Sequence, residues 1–333
     1  MTVRINRRRA ITVLAAAAGL PLIWQASQAH AARLIRWEGT TLGAPSTIQL
    51  YHTDETKARA AIAAGLDELA RLESIFSVYR ADSAITALNR DGRLDNAPVE
   101  LIEMLTHARD LAKISDGVYD PTVQPVWQLY FSHFTSNNPD PAGPAAADMA
   151  KALALVDWRG IEIDPINRTI VLARPGMAVT LNSGAQGYIT DRVAAVLRSH
   201  GFVNMLVDMG EPRALSTKPD GSAWRIGIAN PADPSRAITE IDVVDKAVST
   251  SGGYGTLFDD AGQFTHLIDT RTGKTAPAMV GVSVIADNAT TADGLSTALL
   301  LAPVERRQEI LRAAGGLTAI FVTPDGVTAT VTA

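Results

Sequence analysis

Asp293 and Thr297 sit four residues apart in the run TTADGLSTALLLA, Thr290 to Ala302. At that spacing a carboxylate and a hydroxyl point the same way from a helix. Oxygen donors so paired suit a hard divalent cation, and the surrounding alanines and leucines imply burial. An ordinary account competes. Thr290 followed three residues later by Asp293 resembles a capping box, and an acid in a first turn gains roughly 0.3–1 kcal/mol from the helix dipole. Capping explains Asp293 and leaves Thr297, one turn deeper, with no reason to be polar.

Other stretches carry reactive groups. TLNSGAQGYITD places glycines and small residues just ahead of a helix, a turn through which backbone N–H groups can approach a phosphate. It lacks the G-x-G-x-x-G spacing, and no such motif occurs elsewhere, so a Rossmann dinucleotide site has no support. SDGVYDPTVQPV gathers Asp116, Gly117, Asp120 and Pro121 into what reads as turn chemistry. FTHLIDTRTG sets His266 on a strand, with Asp269 and Arg271 at its end. A lone strand histidine is usually structural, but its switching between neutral and cationic forms also suits proton transfer or phosphate contact. Ser249, Thr250, Ser251, Gly252 and Gly253 offer hydroxyls and flexible backbone just upstream.

Composition narrows the chemistry. The chain has no cysteine, which removes disulfides, thiolate metal sites, iron–sulfur clusters and cysteine nucleophiles. Any metal must take oxygen or imidazole ligands. Residues 1–31 read as a cleavable signal peptide: Arg7, Arg8 and Arg9, an apolar run from Ala10 to Ile23, then Ala29-His30-Ala31. Paired arginines before a modestly apolar segment fit the twin-arginine route, which carries folded proteins and implies a periplasmic location. Loss of that segment removes four arginines and no acid, making the formal charge of −5 four units more negative. So acidic a protein is a poor binder of nucleic acid. No later apolar stretch reaches membrane-spanning length.

The elements that must position these groups follow from periodicity. TKARAAIAAGLDELARLESIF, with Ile62, Leu66, Leu69, Leu72 and Phe76, predicts an amphipathic helix after a short strand near Thr47 to Tyr51. PVELIEMLTHARDLAKISDG predicts a second, and a third is expected from Ala185 to His200, stopped by Gly201. SHFTSNNPDPAGPAAAD reads as a proline-rich insertion or hinge, and IEID with RTIVLA as a hairpin. VNMLVD, WRIGIA, AITEIDV, THLID, VGVSVIA, LTAIFV and GVTATV predict strands, several alternating as half-exposed antiparallel strands do. ERRQEILRAA is a last helix. The segregated runs argue an α+β fold, one domain over residues 32–333 with a mainly antiparallel sheet and packed helices.

In this order, FSVYRADSAITALN, VYDPTVQPV, TLNSGAQGYITD, VDMGEPRAL, WRIGIANP, STSGGY, THLIDTRTG and ADGLST resemble the ApbE family of flavin transferases, from about Gly39 to Phe321. The resemblance implies an enzyme that binds FAD with Mg2+, cleaves its pyrophosphate, and attaches FMN by a phosphoester to a threonine or serine of a client protein, releasing AMP. Asp293 and Thr297 then match the family's side-chain metal ligands and Ala185 a backbone-carbonyl ligand. Leu42, Tyr79, Val118, Tyr119, Asp120, Ser251 and His266 match FAD-contacting positions, with His266 and Asp293 at the reacting phosphates. The expected client belongs to an envelope electron-transfer complex. Thr180 stands where the family commonly has an acid and Gln186 where it has a lysine, so a charge pair becomes a neutral pair that would retune FAD recognition. Two alternatives remain at this point: hydrolysis of FAD to FMN and AMP with water as acceptor, and a non-catalytic periplasmic FAD-binding or maturation protein.

Overall fold

The computed structural model describes residues 32–333, so the leader assigned to residues 1–31 lies outside the described residues. The largest sheet has eight strands in the order β1-β2-β6-β7-β10-β11-β12-β13, every neighbouring pair antiparallel. They are β1 Arg33–Thr41, β2 Ala44–His52, β6 Met205–Asp208, β7 Pro212–Leu215, β10 Ala247–Gly252, β11 Gly281–Ala286, β12 Thr318–Val322 and β13 Thr328–Thr332. A second, three-stranded sheet joins β3 Arg93–Leu94, β5 Thr169–Leu172 and β4 Ile161–Asp164, and β8 Trp224–Asn230 pairs with β9 Asp233–Val243 as a separate hairpin. The fold is α+β.

Helices occupy one face of the large sheet. α1 (Glu55–Phe76) starts where the Asp54 carboxylate accepts from the Lys57 N–H, and it buries Ala58, Ala61, Ile62, Gly65, Leu69, Leu72 and Phe76 at helical spacing. α2 (Ala84–Asp91) and α3 (Val99–Ile114) follow, then α4 (Gln124–Phe134) and α5 (Ala146–Leu153). α6 (Ala185–Ser199) packs between α1 and α7 (Ala289–Leu301), and α7 lies directly on β10 and β11. α8 is Val304–Ala313. The opposite face of the sheet is covered by the β8–β9 hairpin, whose Trp224, Ile226, Ile228 and Val243 pack on Leu206, Ala214, Val248 and Ile320.

Two expectations need correction. THLID is not a strand: it forms only isolated bridges, Leu257 to Thr265 and Ile268 to Thr275, inside a looping segment between β10 and β11. Its amides are used locally, His266 N–H to the Thr256 carbonyl and Asp269 N–H to the Lys274 carbonyl, so no sheet edge is open to it. The proline-rich stretch is not a loose hinge either. α4, α5 and the looping segment share an aromatic cluster of Tyr130, Phe134, Phe258 and Phe264, fixed by the Tyr130 hydroxyl donating to the Gly273 carbonyl at 2.7 Å.

Candidate active site

Ten of the thirteen residues of α7 are buried, including Asp293 at 4 % and Thr297 at 7 % exposure. A helix enclosed on nearly all sides must find partners for every polar group it carries. Asp293 finds one on α6, where the Gly187 N–H donates to its Oδ2 at 3.0 Å. Gly187 is required by this approach, since a Cβ there would stand 2.3 Å from the Ala289 carbonyl oxygen. The capping-box reading is therefore wrong. Asn288 is the N-cap, accepting from the Thr291 N–H at 2.8 Å, while Thr290 turns to Asp191 on α6. Asp293 does not cap its own helix; it serves the third N–H of α6, whose N-cap Gly184 has no side chain to offer.

The hydroxyls nearby form a directed chain. Ser296 Oγ donates to the Asp293 carbonyl at 2.8 Å, which spends its only proton. Ser251 Oγ, 2.7 Å from Ser296 Oγ, must then donate to it, and Thr297 Oγ1, 2.8 Å from Ser251 Oγ, must donate to Ser251. Thr297 is left with its proton used and its oxygen able to accept further, the state in which a hydroxyl can serve a cation.

Charge points the same way. Burial, the largest influence, raises the Asp293 carboxyl above its ordinary value; the Gly187 N–H opposes this and Asp191 adds to it. Glu211, 8 % exposed just before β7, is raised well above the usual carboxylate value by burial first and by Asp293 next. Asp208 at the end of β6 is pushed up to about 6, again by burial. Among the described residues none of these three acids has a salt-bridge partner. Two buried carboxylates and a half-buried third, none with a cation, are costly, and a divalent ion would relieve them. No group of three or more His, Asp or Glu residues forms a cage among the described residues. The set of Asp293, Thr297 and the buried Ala185 at the start of α6 fits Mg2+, which takes few protein oxygens and completes its shell with water and phosphate.

Beside this cluster the surface opens. A cleft of about 940 Å³ is walled by Leu42, Tyr79, Trp127, Asn182, Gln186 and His266, within the size range of organic-ligand sites. A smaller cavity of about 70 Å³ shares Trp127, Asn182 and His266 with it and reaches Tyr119, Thr180 and Thr297. His266 thus lines both the large cleft and the small cavity that reaches the Thr297 hydroxyl. Its Nδ1 lies 3.1 Å from the Thr256 carbonyl oxygen and 3.2 Å from the Thr256 nitrogen, so this one residue can hold either tautomer, and the one protonated at Nδ1 has Nε2 available to accept a proton. Burial holds the imidazole below the usual histidine value, hence neutral near pH 7.

A model of the ApbE family matches residues 42–321. The chain belongs to the ApbE family. It is 30% identical over 294 residues to an FAD:protein FMN transferase of Treponema pallidum, covering 80% of this chain and 79% of that protein. It is 28% identical over 292 residues to an FAD:protein FMN transferase of Salmonella typhimurium, covering 84% and 81%. Among solved structures, the apo flavinyl transferase ApbE of Pseudomonas stutzeri superposes with a TM-score of 0.75 at 27% identity, covering 90% of this chain and 96% of that one.

Within the family frame the expected site residues divide. Leu42, Tyr79, Gln186 and His266 line the large cleft; Tyr119, Asp120, Thr180, Thr297 and again His266 line the small one. Others are placed differently. Ser251 spends its hydroxyl on Ser296 and Thr297, so it orients the Thr297 hydroxyl. Asp120 is committed to the turn it sits in: Oδ1 accepts from the Thr122 N–H and hydroxyl at 2.8 and 2.6 Å, and Oδ2 from the Trp158 N–H at 2.9 Å. Val118 is buried, and its carbonyl accepts from the Thr270 hydroxyl at 3.3 Å. Thr180 and Gln186 do not form a neutral replacement pair. Thr180 lines the small cavity and its Oγ1 accepts from the Asn182 N–H at 3.3 Å, whereas the Gln186 amide, in the large cleft, donates to the Thr41 carbonyl at 3.3 Å. Glu211, Trp127 and Asn182 escaped sequence reasoning; VDMGEPRAL displayed Glu211, but nothing local marked it as buried beside Asp293.

Proposed function

We propose that this protein is an exported, Mg2+-dependent FAD:protein FMN transferase, acting in the bacterial periplasm on a client of an envelope electron-transfer complex. The observation that carries this reading is Thr297 at the wall of the small cavity, its hydroxyl oxygen with acceptor capacity to spare, and one turn away on α7 the buried Asp293 carboxylate, which has no cation partner among the described residues. The donor set Asp293, Thr297 and Ala185 would hold Mg2+, whose charge would neutralise that building up on the FAD phosphates. The lining of the two cavities supports the need for it. Its one permanent cation is Arg80, already paired with Asp82 at 2.8 Å.

The chain's own residues supply positioning and proton transfer. Tyr79 and Trp127, ring centroids 6.4 Å apart, give the cleft an aromatic wall for a flat heterocycle. A client threonine or serine hydroxyl attacks the FMN phosphorus. The bond from phosphorus to the bridging oxygen breaks, AMP leaves with that oxygen, and the hydroxyl proton passes to Nε2 of His266. The mature chain reaches its client without a membrane span of its own in this reading; among the described residues no helix is long and apolar enough to cross a bilayer.

The test combines purified protein, FAD, Mg2+ and a client protein with an acceptor threonine. Covalent flavin fluorescence on the client in a denaturing gel, matched by AMP, is the expected result. AMP without label would replace transfer by FAD hydrolysis, and neither product would leave a carrier.

A further inference from the structure

The two helices that carry the proposed ligands are tied to each other twice, in opposite senses. At one tie Asp293 of α7 accepts from the Gly187 N–H of α6. At the other, Asp191 of α6 accepts from α7: its Oδ1 from the Ala289 N–H at 2.9 Å, its Oδ2 from the Thr290 N–H at 2.9 Å and the Thr290 hydroxyl at 2.6 Å. Asp191 follows Gly187 by four residues, so both ties lie on the same face of α6. A third element joins at the same carboxylate. Arg213 of β7, two residues after Glu211, donates to Asp191 Oδ1 at 2.6 Å, with the side chains only 21% and 15% exposed.

We infer that Asp191 is a positioning residue for the cation site, the clamp that sets the register of α7 against α6 and so places Asp293 and Thr297 opposite Ala185. The inference rests on the flavin-transfer reading. The first amides of a helix have no partner within it. Those of α7 at Ala289 and Thr290 are held from α6 by Asp191. A slip of α7 by one residue, about 1.5 Å along its axis, would break all three α7 bonds to Asp191 and carry both side-chain ligands away from the Ala185 carbonyl. Asp191 touches neither cavity lining, so it acts through the helices.

The experiment measures FAD binding by flavin fluorescence across a Mg2+ titration, together with melting temperature, for the wild type, Asp191→Asn, Thr290→Val and Asn204→Ala. Asn204, whose side chain donates to the Thr217 carbonyl at 2.7 Å, is a structural contact away from the ligands and serves as the control. Asp191→Asn is expected to raise the Mg2+ concentration for half-maximal binding about tenfold or more, the size of effect seen when a partner that orients a ligand is lost. Thr290→Val, which removes one of the four bonds, raises it less; Asn204→Ala lowers the melting temperature and leaves the midpoint in place. An unchanged Mg2+ midpoint in Asp191→Asn at a lowered melting temperature would reduce Asp191 to a helix staple. Should Asp191→Asn not fold, Thr290→Val decides alone, and an unmoved midpoint overturns the clamp. Wild-type FAD binding that ignores Mg2+ would instead overturn the metal assignment of the parent reading, and the clamp with it.

Discussion

The Gly187 amide and the Asp293 carboxylate meet at 3.0 Å across the contact of α6 with α7, at a place where no side chain heavier than hydrogen fits on α6. Backbone is thereby brought against the acid that most needs a donor. Removing the space removes the donor.

Gly187→Ala is expected to force the helices apart, because the new methyl would sit 2.3 Å from the Ala289 oxygen and 2.9 Å from the Asp293 Cβ. Overpacking of this kind costs about 1–3 kcal/mol. Urea unfolding should show that loss, and Mg2+-dependent FAD binding should weaken with it. A variant as stable as the wild type would mean the helices can separate freely.

Asp293→Asn should divide stability from function. Without metal, the wild type carries a buried carboxylate with no cation partner, so the amide should match or exceed its stability in chelator. Binding of FAD in the presence of Mg2+ should fall on the order of 100-fold. Thermal unfolding with and without Mg2+ checks both halves. A chelated variant several degrees less stable than the wild type would show that the negative charge itself strengthens the tie to the Gly187 N–H by more than its burial costs.

Ser296→Ala cuts the hydroxyl chain at its source. Ser251 would then be free to turn its proton toward Thr297, and Thr297 would lose the direction that keeps its oxygen able to accept further. The Mg2+ midpoint should rise about tenfold with folding nearly intact. Ser296→Thr, which keeps a hydroxyl, should recover most of it.

The pH profile should carry the signature of His266. An imidazole that must be neutral to accept a proton gives activity that falls as pH drops through its pKa, and burial places that pKa below the ordinary histidine value of about 6.5. The acid limb of kcat/KM is therefore expected below about 6.5, and His266→Gln should abolish it with a rate loss on the order of 10²–10⁴. The same group affects stability. Neutral in the folded state and protonated in the unfolded one, it makes the unfolded chain bind more protons between its depressed pKa and about 6.5, so its contribution to stability rises with pH across that interval. An acid limb that survives in His266→Gln belongs to another group.

Much of this was visible in the linear chain, and the misses share a cause. α1, α3 and α6 repeat their apolar residues at helical spacing, and the Asp293–Thr297 pair is local, so one window of sequence holds it. α4 was missed because QPVWQLYFSHF is apolar on several sides; its rings pack against Phe258 and Phe264 from a distant loop, which erases a one-sided stripe. THLID has strand-like residues but lies between glycines and the Asp269–Gly273 turn, which return its backbone to its own loop. Nothing local in the sequence marks Asp191, since its partners lie 98 and 99 residues further along the chain. The capping-box reading of Thr290 failed for the same reason: a tertiary acceptor outcompeted the local one.

The separation of 106 positions along the chain between Gly187 and Asp293 also bears on how the protein is made. A nascent chain that has not yet emerged through α7 has neither side-chain oxygen with which to grip a cation, whatever else has folded. Closing so long a loop is among the slower events of folding. Fragments ending before Ala289 should therefore be inert toward flavin, and competence should arrive in a single late step.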